Sequence, residues 1–341
     1  MSAAADSVTV YIPCHNAEGF LGGCVRSLLE QTLPPAEILV VNDGSTDRTR
    51  EIAAGLPVRL VDLDGHPGLA EARNAGIREA RGEFVASIDV DCLADPRWLE
   101  RLLSALRETG AAGAGGKLLE GIRATLGDRW RAAHMRQDWG DARIANPPFL
   151  FGCNTLFRKD VLEQVGLYDP AFRTNGEDLN LSHRLMAQGR ALVYEPAAVV
   201  THLKRDTTLS VLDADWRWGY RSIGETMKYE RTSHIVYHNF VNARYRARQD
   251  FRAGRYPLLL LDLLLLLRHT RLDLRQAREK GLLRRGGGLL APRVETLTAF
   301  RAHLGRLSRS HFMRNPDAVA PRTNEAAAPS PSAGSGIRNG S

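Results

Sequence analysis

Hydrophobic residues at positions 8–201 fall into short segments whose spacing predicts strands and helices in alternation. Val8–Ile12, Ile38–Val41 and Phe84–Ile88 are mostly apolar runs, which are typical of strands buried on both faces. Between them lie segments such as Phe20–Gln31, where apolar side chains recur at the spacing of one helix face. Strands that alternate with helices in this way predict an α/β fold.

The same patterns extend over most of the chain. Further helices are predicted at 47–54, 68–80, 96–107, 159–165 and 179–188, and further strands at 58–61, 149–158, 191–194 and 199–201. Residues 115–148 lack a clear period, which predicts a loop or a substrate-facing insertion. After His202 helical spacing continues without strands, and beyond residue 316 the sequence is rich in Ala, Pro, Ser and Gly. We therefore predict an α/β domain at 1–205, a helical region at 206–315 and a disordered tail at 316–341.

Charge divides the chain at nearly the same point as the predicted elements. From Lys204 to Ser341 there are 25 Lys and Arg residues against 12 Asp and Glu, whereas the preceding part has 21 against 27. A basic helical region indicates an anionic partner, and membrane phospholipid, a lipid-diphosphate acceptor and nucleic acid all carry the required charge. A solvated Arg-rich surface is the structural alternative.

One long apolar run lies inside this basic region. Residues 257–267 are nearly all Leu, with Asp262 in the middle and Arg268 and His269 after the end. Because a spanning helix needs about 20 apolar residues, the run is either a core helix or a helix in the membrane interface. The N-terminus lacks a secretory pattern, and four widely spaced cysteines indicate reduced thiols. We therefore expect a cytoplasmic protein, with peripheral contact to the inner face of the cell membrane.

Two acidic pairs are the strongest candidates for chemistry, and neither is surrounded by basic residues in the sequence. Asp89 and Asp91 follow the strand Phe84–Ile88, and alternate residues of a strand project to the same side. Their carboxylates suit Mg²⁺ or Mn²⁺, although acids after a strand also form turns. Glu177 and Asp178 begin a predicted helix, where the helix dipole favours acids. Adjacent carboxylates nevertheless repel each other, which indicates a tuned base.

Two further polar residues follow strands. Asp43 comes after Ile38–Val41 and opens the segment Asp-Gly-Ser-Thr-Asp, which suits a turn and a helix cap. A side chain at this end of a strand also suits a contact to a nucleotide base. His202 closes the last predicted strand, where it is either a structural residue or a ligand that faces the same cleft.

Taken together and in order, these fragments resemble the family 2 glycosyltransferases, an inverting group with a GT-A fold. The matching segments are VTVYIPCHN at 8–16, EILVVNDGSTD at 37–47, GLAEARNAG at 68–76, DVD at 89–91, GLYD at 166–169, GED at 176–178 and VTH at 200–202. The resemblance covers residues 8–203. It implies a nucleotide-binding GT-A domain with a mixed central sheet flanked by helices, followed by a mainly helical basic appendage.

The resemblance also implies how the donor is bound. In this family the loop that matches Pro13, His15 and Asn16, together with the side chain that matches Asp43, holds the nucleotide base and ribose. Arg73 matches a position near the nucleotide. The implied donor is a UDP- or dTDP-linked sugar and the implied acceptor is a hydroxyl of a glycan or lipid-linked molecule. No nucleic acid partner is expected.

The remaining matches imply how the sugar is transferred. Asp89 contacts the ribose and the metal, Asp91 is the direct ligand of Mg²⁺ or Mn²⁺, and His202 adds a metal or diphosphate contact. The metal would stabilise the leaving group as a Lewis acid. Asp178 matches the base that removes the proton of the acceptor hydroxyl, and Glu177 orients the acceptor or its neighbour. Attack from the opposite face of the sugar gives inversion.

Departures from the family pattern, and other functions, limit this interpretation. Processive synthases of the family usually carry a Gln-x-x-Arg-Trp motif and several spanning helices, whereas this chain has Trp216-Arg217-Trp218 without the full motif. A single transfer is therefore favoured. One alternative is a catalytically inactive scaffold of the same fold that binds glycan or membrane. Another is a nucleotidyltransferase, although such enzymes usually carry a Gly-rich basic loop where this chain has Pro13–Asn16.

Overall fold

The computed structural model describes the backbone of residues 7–223 and 232–279 and the side chains within those ranges except 219–223 and 232–234. The predicted alternation of strands and helices is confirmed. The strands are β1 Val8–Cys14, β2 Glu37–Asn42, β3 Arg59–Asp62, β4 Phe84–Ile88, β5 Cys92–Ala94, β6 Gly113–Glu120, β7 Ile144–Ala145, β8 Asn154–Arg158 and β9 Leu192–His202. The helices are α1 Leu21–Leu29, α2 Thr49–Ala54, α3 Leu69–Glu79, α4 Trp98–Thr109, α5 Leu126–His134, α6 Lys159–Val165, α7 Glu177–Ala187, α8 Thr208–Ile223, α9 Thr232–Arg252 and α10 Leu259–Glu279, with a 3-10 turn at Tyr256–Leu258.

The strands form one mixed sheet, which confirms the predicted fold class. Its order is β3-β2-β1-β4-β8-β6-β9-β5, and β7 pairs with β9 outside this path. The neighbours from β3 to β4 are parallel, whereas β8 is antiparallel to both β4 and β6. The carboxyl ends of β1, β2 and β4 therefore lie at one edge, where open α/β sheets bind their ligands.

Both faces of the sheet are covered, which explains why the central strands are continuous apolar runs. Along β1, Val10 and Ile12 pack on one face with residues of α1 and α4, including Leu28. Tyr11 points to the opposite face and packs with residues of α3 and α6, including Ile77. The period of two along β1 thus distributes its side chains between two cores.

Pro13 lies inside β1, although proline is rare in central strands. The pairing explains its position, because β1 pairs with β2 as far as Cys14 but with β4 only as far as Tyr11. The carbonyls of Val8 and Cys14 accept hydrogen bonds from residues that flank β2. The backbone N–H and C=O groups of the even-numbered residues of β1 therefore point to β2, and those of the odd-numbered residues point to β4. Pro13 is beyond the last paired residue on that side, and its missing N–H removes no bond from the sheet.

The prediction of a loop or insertion at 115–148 is wrong for part of that range. Strand β6 lies between β8 and β9 in the sheet, and helix α5 follows it. The start of β6 reads Gly-Ala-Gly-Gly, and glycine weakens a strand signal. Tertiary packing requires glycine at two of these positions. A Cβ on Gly113 would lie 2.3 Å from the ring of Phe157, and one on Gly116 would lie 1.9 Å from the carbonyl oxygen of Ala198. The two strands predicted at 191–194 and 199–201 are a single strand, β9.

The helical region packs against the α/β part through helix α5. Trp130 of α5 is fully buried in a cluster with Leu212 of α8 and Leu261 of α10. Its indole Nε1 also donates a hydrogen bond of 3.1 Å to Asp262 of α10. Next to it, the Nε2 atom of His134 lies 3.0 Å from a carboxylate oxygen of Asp250 of α9. Apolar and polar contacts therefore join the two parts.

The long leucine run is partly core and partly surface. Leu261 and Leu265 are buried, whereas Leu260, Leu263 and Leu267 are 57%, 57% and 62% exposed. Across residues 7–223 and 232–279, none of the helices has the length and apolar character that a membrane crossing would need. The predicted tail at 316–341 lies outside the described residues.

Candidate active site

A cleft of about 360 Å³ opens at the carboxyl end of β4, between that strand, α7 and the start of the helical region. Two groups of residues meet there although they are far apart in the sequence. The side chains that line it include both acidic pairs, Arg73 and His202, namely Asp89, Asp91, Glu177, Asp178, Arg73 and His202. The structure thus brings together six of the predicted site residues in one cavity.

Arg73 of α3 connects the two acidic pairs, which corrects the expectation that they lack a basic partner. The residue is 1% exposed, and its guanidinium donates to Asp89 at 2.9 Å and to the carbonyl oxygen of Gly152 at 2.6 Å. Its Nε atom lies 3.3 Å from Glu177, and one Nη also bonds the hydroxyl of Ser87. Because these groups surround it, Arg73 holds protein groups in position.

The second acidic pair begins α7, directly after Gly176. Gly176 has a φ of 87°, a left-handed conformation that glycine adopts without strain, and it allows the sharp entry into the helix. Asp178 accepts hydrogen bonds from the backbone N–H of Gly152 at 3.0 Å and of Leu179 at 2.8 Å. Glu177 is buried, and burial together with the charge of Asp178 raises its pKa to about 8. The two adjacent carboxyl groups therefore have different environments.

His202 at the end of β9 lies between two carboxylates. Its Nε2 atom is 3.2 Å from Asp91 and its Nδ1 atom is 2.9 Å from Glu120. Burial alone would lower the pKa of His202, but these hydrogen bonds raise it to about 9. Burial likewise opposes ionisation of Asp91, yet the bond to His202 holds the pKa of Asp91 below its usual value.

The predicted base-binding residues form a second group beside the cleft. Asp43, after β2, is buried and accepts a 3.3 Å hydrogen bond from the N–H of Gly68, and the next residue, Leu69, lines the cleft. His15, after β1, is exposed, with its Nδ1 atom 2.7 Å from the carbonyl oxygen of Asp43. The side-chain oxygen of Asn16 accepts a 2.7 Å bond from the N–H of Thr46, which fixes the loop. Pro13 is buried in β1 and does not line the cleft.

Three cationic side chains in the cleft were not predicted from the sequence. Lys204, Arg131 and Arg217 all line it. Arg131 forms a buried ion pair with Asp206, so it is not available to a ligand. Lys204 lies two residues beyond His202, and that proximity is the one signal that could have identified it. Arg217 is exposed on α8 and reaches the cleft only because the helical region packs there.

The ligand atoms of the predicted metal ligands Asp89, Asp91 and His202 lie farther apart than those of two other groups of residues. Asp91 contacts His202, but the Oδ1 atom of Asp89 is bound by Arg73. Within 7–223 and 232–279, the groups of three whose ligand atoms lie within 4.8 Å of one another are His15, Asp43 and His66, and His134, Asp250 and Asp262.

Sequence comparisons relate this chain to known glycosyltransferases. The family model described as Glycosyl transferase family 2 matches residues 9–166, which include β1 to β4 and the first acidic pair. Glycosyltransferase AglE of Haloferax volcanii is 30% identical over 217 residues, which are 60% of this chain and 69% of that protein. Succinoglycan biosynthesis protein ExoO of Rhizobium meliloti is 29% identical over 229 residues, which are 61% of this chain and 64% of that protein.

Among solved structures, S. aureus TarS 1-349 in complex with UDP-GlcNAc matches with a TM-score of 0.46 and 17% identity. The match covers 62% of this chain and 65% of that one. The chain thus spans about two thirds of the length of these relatives.

Proposed function

Since this chain belongs to glycosyl transferase family 2 and is a glycosyltransferase that uses a nucleotide-sugar, we propose that it transfers one sugar from a UDP- or dTDP-linked donor, with inversion, to a hydroxyl of a glycan or lipid-linked acceptor. The observation that carries this proposal is the shared cleft. Two carboxylates that follow β4 and two from α7 line one cavity, and Arg73 contacts one acid of each pair. Such an arrangement suits a donor at one pair and an acceptor at the other.

Asp178 is the proposed base. The N–H groups of Gly152 and Leu179 fix its carboxylate in the cleft, so one orientation is maintained. Glu177, with a pKa of about 8, keeps its proton at neutral pH and adds no second negative charge beside Asp178. Asp178 then removes the proton from the acceptor hydroxyl as that oxygen attacks the anomeric carbon.

The diphosphate of the donor needs positive charge around it. Lys204 and Arg217 both line the cleft, and the charge of Lys204 acts on Asp91, so we assign these two side chains contacts to the phosphate oxygens. Arg73 has its guanidinium directed at Asp89 and Glu177, so its proposed role is to position these carboxylates.

The donor set also fits a divalent metal. Asp91 and His202 are in contact and both line the cleft, and Asp89 offers the oxygen that Arg73 does not bind. We propose that these three residues hold Mg²⁺ or Mn²⁺, for which carboxylates are suitable ligands. When bound, the ion would neutralise the charge that develops on the leaving nucleoside diphosphate. His202 must lose its second proton before it can bind a metal, and Asp91 and Glu120 both oppose that loss.

The base and ribose of the donor are assigned to the ends of β1 and β2. His15 and Asn16 stand on the exposed loop after β1, and Asp43 faces the same region. Pro13 contributes only by shaping the backbone, because it is buried in the strand. Asp43 is adjacent to the cleft, because it accepts a hydrogen bond from Gly68 and the next residue, Leu69, lines the cleft.

The proposal also covers the acceptor and the cellular location. ExoO is named for succinoglycan biosynthesis, and we propose a similar glycan acceptor, in polysaccharide assembly at the cell envelope. Exposed leucines and arginines of α10 support a peripheral contact with an anionic membrane on its cytoplasmic face. We propose that the chain divides into a GT-A domain at 1–205, a helical region at 206–315 and a tail at 316–341.

A panel of nucleotides and nucleotide-sugars tests the proposal directly. We expect UDP- or dTDP-sugars with Mn²⁺ to raise the melting temperature, because a ligand at one hundred times its Kd adds about 2.7 kcal/mol of stability. One donor should also be hydrolysed slowly without acceptor. Variant Asp91→Asn should lose the metal dependence. If no nucleotide of the panel raises the melting temperature, the chain is not a nucleotide-sugar transferase.

A further inference from the structure

His66 lies against the carboxylate that is proposed to hold the donor base. It belongs to the loop between β3 and α3, and its Nδ1 atom is 2.8 Å from Oδ2 of Asp43 and 3.1 Å from the backbone oxygen of the same residue. Both neighbours are acceptors, so Nδ1 carries a proton and donates it. The side chain of Asp43 is only 5% exposed. The group that should recognise a base is therefore covered by an imidazole.

The imidazole of His66 also stacks on His15. The two ring centroids are 3.9 Å apart and the planes differ by 24°. The Nδ1 atom of His15 bonds the backbone oxygen of Asp43, and this contact fixes the orientation of the His15 ring. His66 thus makes two contacts at once, a stacked face on His15 and a ring N–H to Asp43.

A nucleobase with a ring N–H would make the same two contacts. Uracil and thymine each present a flat face for stacking and an N–H that can donate to a carboxylate. Cytosine has a ring acceptor at the corresponding nitrogen and would face the Asp43 carboxylate with a lone pair. The contacts of His66 are thus those expected of a uracil or thymine ring.

We propose that His66 occupies the base subsite of the free protein as a surrogate for uracil or thymine, and that its side chain rotates away when the donor binds. This inference rests on the proposed function, since it concerns the same donor site. It makes His66 a competitor of the donor and a residue that sets its affinity.

The surrounding loop supports a movement of the side chain alone. The side chain of His66 is 51% exposed, so space for rotation is available. Its backbone is held from the other side, because Arg173 donates a 2.6 Å hydrogen bond to the carbonyl oxygen of His66. Close contact between Gly44 and Gly65 fixes the preceding turn, where a Cβ on Gly44 would lie 2.1 Å from the oxygen of Gly65. The ring can leave while the loop stays.

Calorimetric titration of the full chain with UDP in Mn²⁺ tests the proposal. His66→Ala removes the competitor, and we expect UDP to bind about fivefold more tightly, the equivalent of one net hydrogen bond. His66→Asn keeps a donor near Asp43 without the stacked ring and should fall between the two. His183→Ala, an exposed histidine on α7, is the matched control and should bind UDP as the parent does. Ribose 5-phosphate, which lacks a base, should bind parent and His66→Ala alike.

The other outcomes distinguish a failure of the surrogate role of His66 from a failure of the proposed function. Equal or weaker UDP binding by His66→Ala overturns the surrogate role while the transferase function stands. No UDP or dTDP binding by any variant overturns the donor assignment itself. Mn²⁺ binding without nucleotide that is lost in His66→Ala and kept in Asp91→Asn would instead make His15, Asp43 and His66 a metal site, and would overturn the inference.

Discussion

The Nε atom of Arg73 lies 3.3 Å from the carboxylate of Glu177, and both side chains are 3% exposed or less. The same guanidinium bonds Asp89 at 2.9 Å, so one cation connects the end of β4 with the start of α7. A buried guanidinium needs such partners, and the carboxylate of Asp89 supplies the charge that Arg73 pairs with. One side chain thus connects the two acidic pairs.

Replacing Arg73 with Lys should damage both stability and transfer. Lysine keeps the charge but cannot reach Asp89, Glu177 and the Gly152 carbonyl with one planar group. We expect a loss of about 3 kcal/mol in the free energy of unfolding, since buried partners lose contacts. Chemical denaturation and steady-state kinetics measure the two effects. Arg78→Lys, on the exposed side of α3, is the control, and equal behaviour of both variants would contradict the connecting role.

The two acids of α7 should respond very differently to amide substitution. Asp178→Asn removes the proposed base and should lower kcat by about 10²- to 10⁴-fold while UDP binding persists. Glu177→Gln resembles the protonated acid that a pKa of about 8 implies, so it should be mild at neutral pH. Asp160→Asn on α6 controls for loss of a surface charge. Similar kcat values for Asp178→Asn and the parent would refute the base assignment.

Gly152 is expected to be intolerant of even one methyl group. A Cβ there would lie 3.0 Å from a guanidinium nitrogen of Arg73 and 3.3 Å from Cβ of Asp178. Gly152→Ala should therefore move the base relative to the donor and lower kcat about tenfold or more, since small misplacements are costly. Gly22→Ala is the control, because a Cβ on Gly22 meets nothing within 4 Å. Kinetics that are unchanged in Gly152→Ala would show that the base tolerates this displacement.

The contribution of Asp262 to the stability of the helical region should fall as pH rises. Burial raises the pKa of Asp262 to about 6, against an ordinary value of about 3.9 in the unfolded chain. The folded state thus favours the protonated acid, so stability is greatest below pH 4 for this group and declines until about pH 7.

Asp262→Asn should remove this decline. We expect the variant to gain up to about 3 kcal/mol at pH 8 and little at pH 4, because a shift of two units corresponds to that energy. Thermal melts at both pH values measure it. Asp213→Asn serves as a control of opposite sign, because a hydrogen bond from Arg268 lowers the pKa of Asp213. A pH-independent effect of Asp262→Asn would contradict the assignment.

Membrane contact through α10 should depend on both its leucines and salt. Leu263 and Leu267 are exposed on a helix that also presents Arg271 and Arg278 to solvent. Sedimentation with vesicles of phosphatidylcholine and phosphatidylglycerol should decrease as salt rises, because exposed charges are screened. Leu263→Glu should reduce binding at all salt concentrations, whereas Leu29→Glu on α1, another exposed leucine, should not. Absence of binding at low salt would remove the membrane proposal.

Much of the fold could be predicted because both faces of the sheet are buried. Strands such as Phe84–Ile88 are therefore continuous apolar runs, and their period and length identify them. Strand β6 could not be predicted, since its glycines are required by Phe157 and Ala198 from distant parts of the chain. No local signal encodes a contact of that kind.

Some residues of the candidate site could likewise be predicted from the sequence, and others could not. Asp43, Asp89 and Asp91 follow strands, and the ends of parallel strands meet at one edge, so their proximity could be anticipated. His66 and Arg217 could not be identified, because a loop and a separate helix bring them there. The buried position of Arg73 between two acids was also hidden, since its partners lie 16 or more residues away in the sequence.

The ion pair between Arg131 and Asp206 restricts how this protein can be divided or recombined. Arg131 belongs to α5 and lines the cleft, whereas Asp206 is the first residue of the proposed helical region, and both are buried. A chain that ended at residue 205 would leave Arg131 charged and unpaired at the wall of the cleft. A helical region taken from another protein would therefore have to supply an acid at the position of Asp206 to keep Arg131 paired.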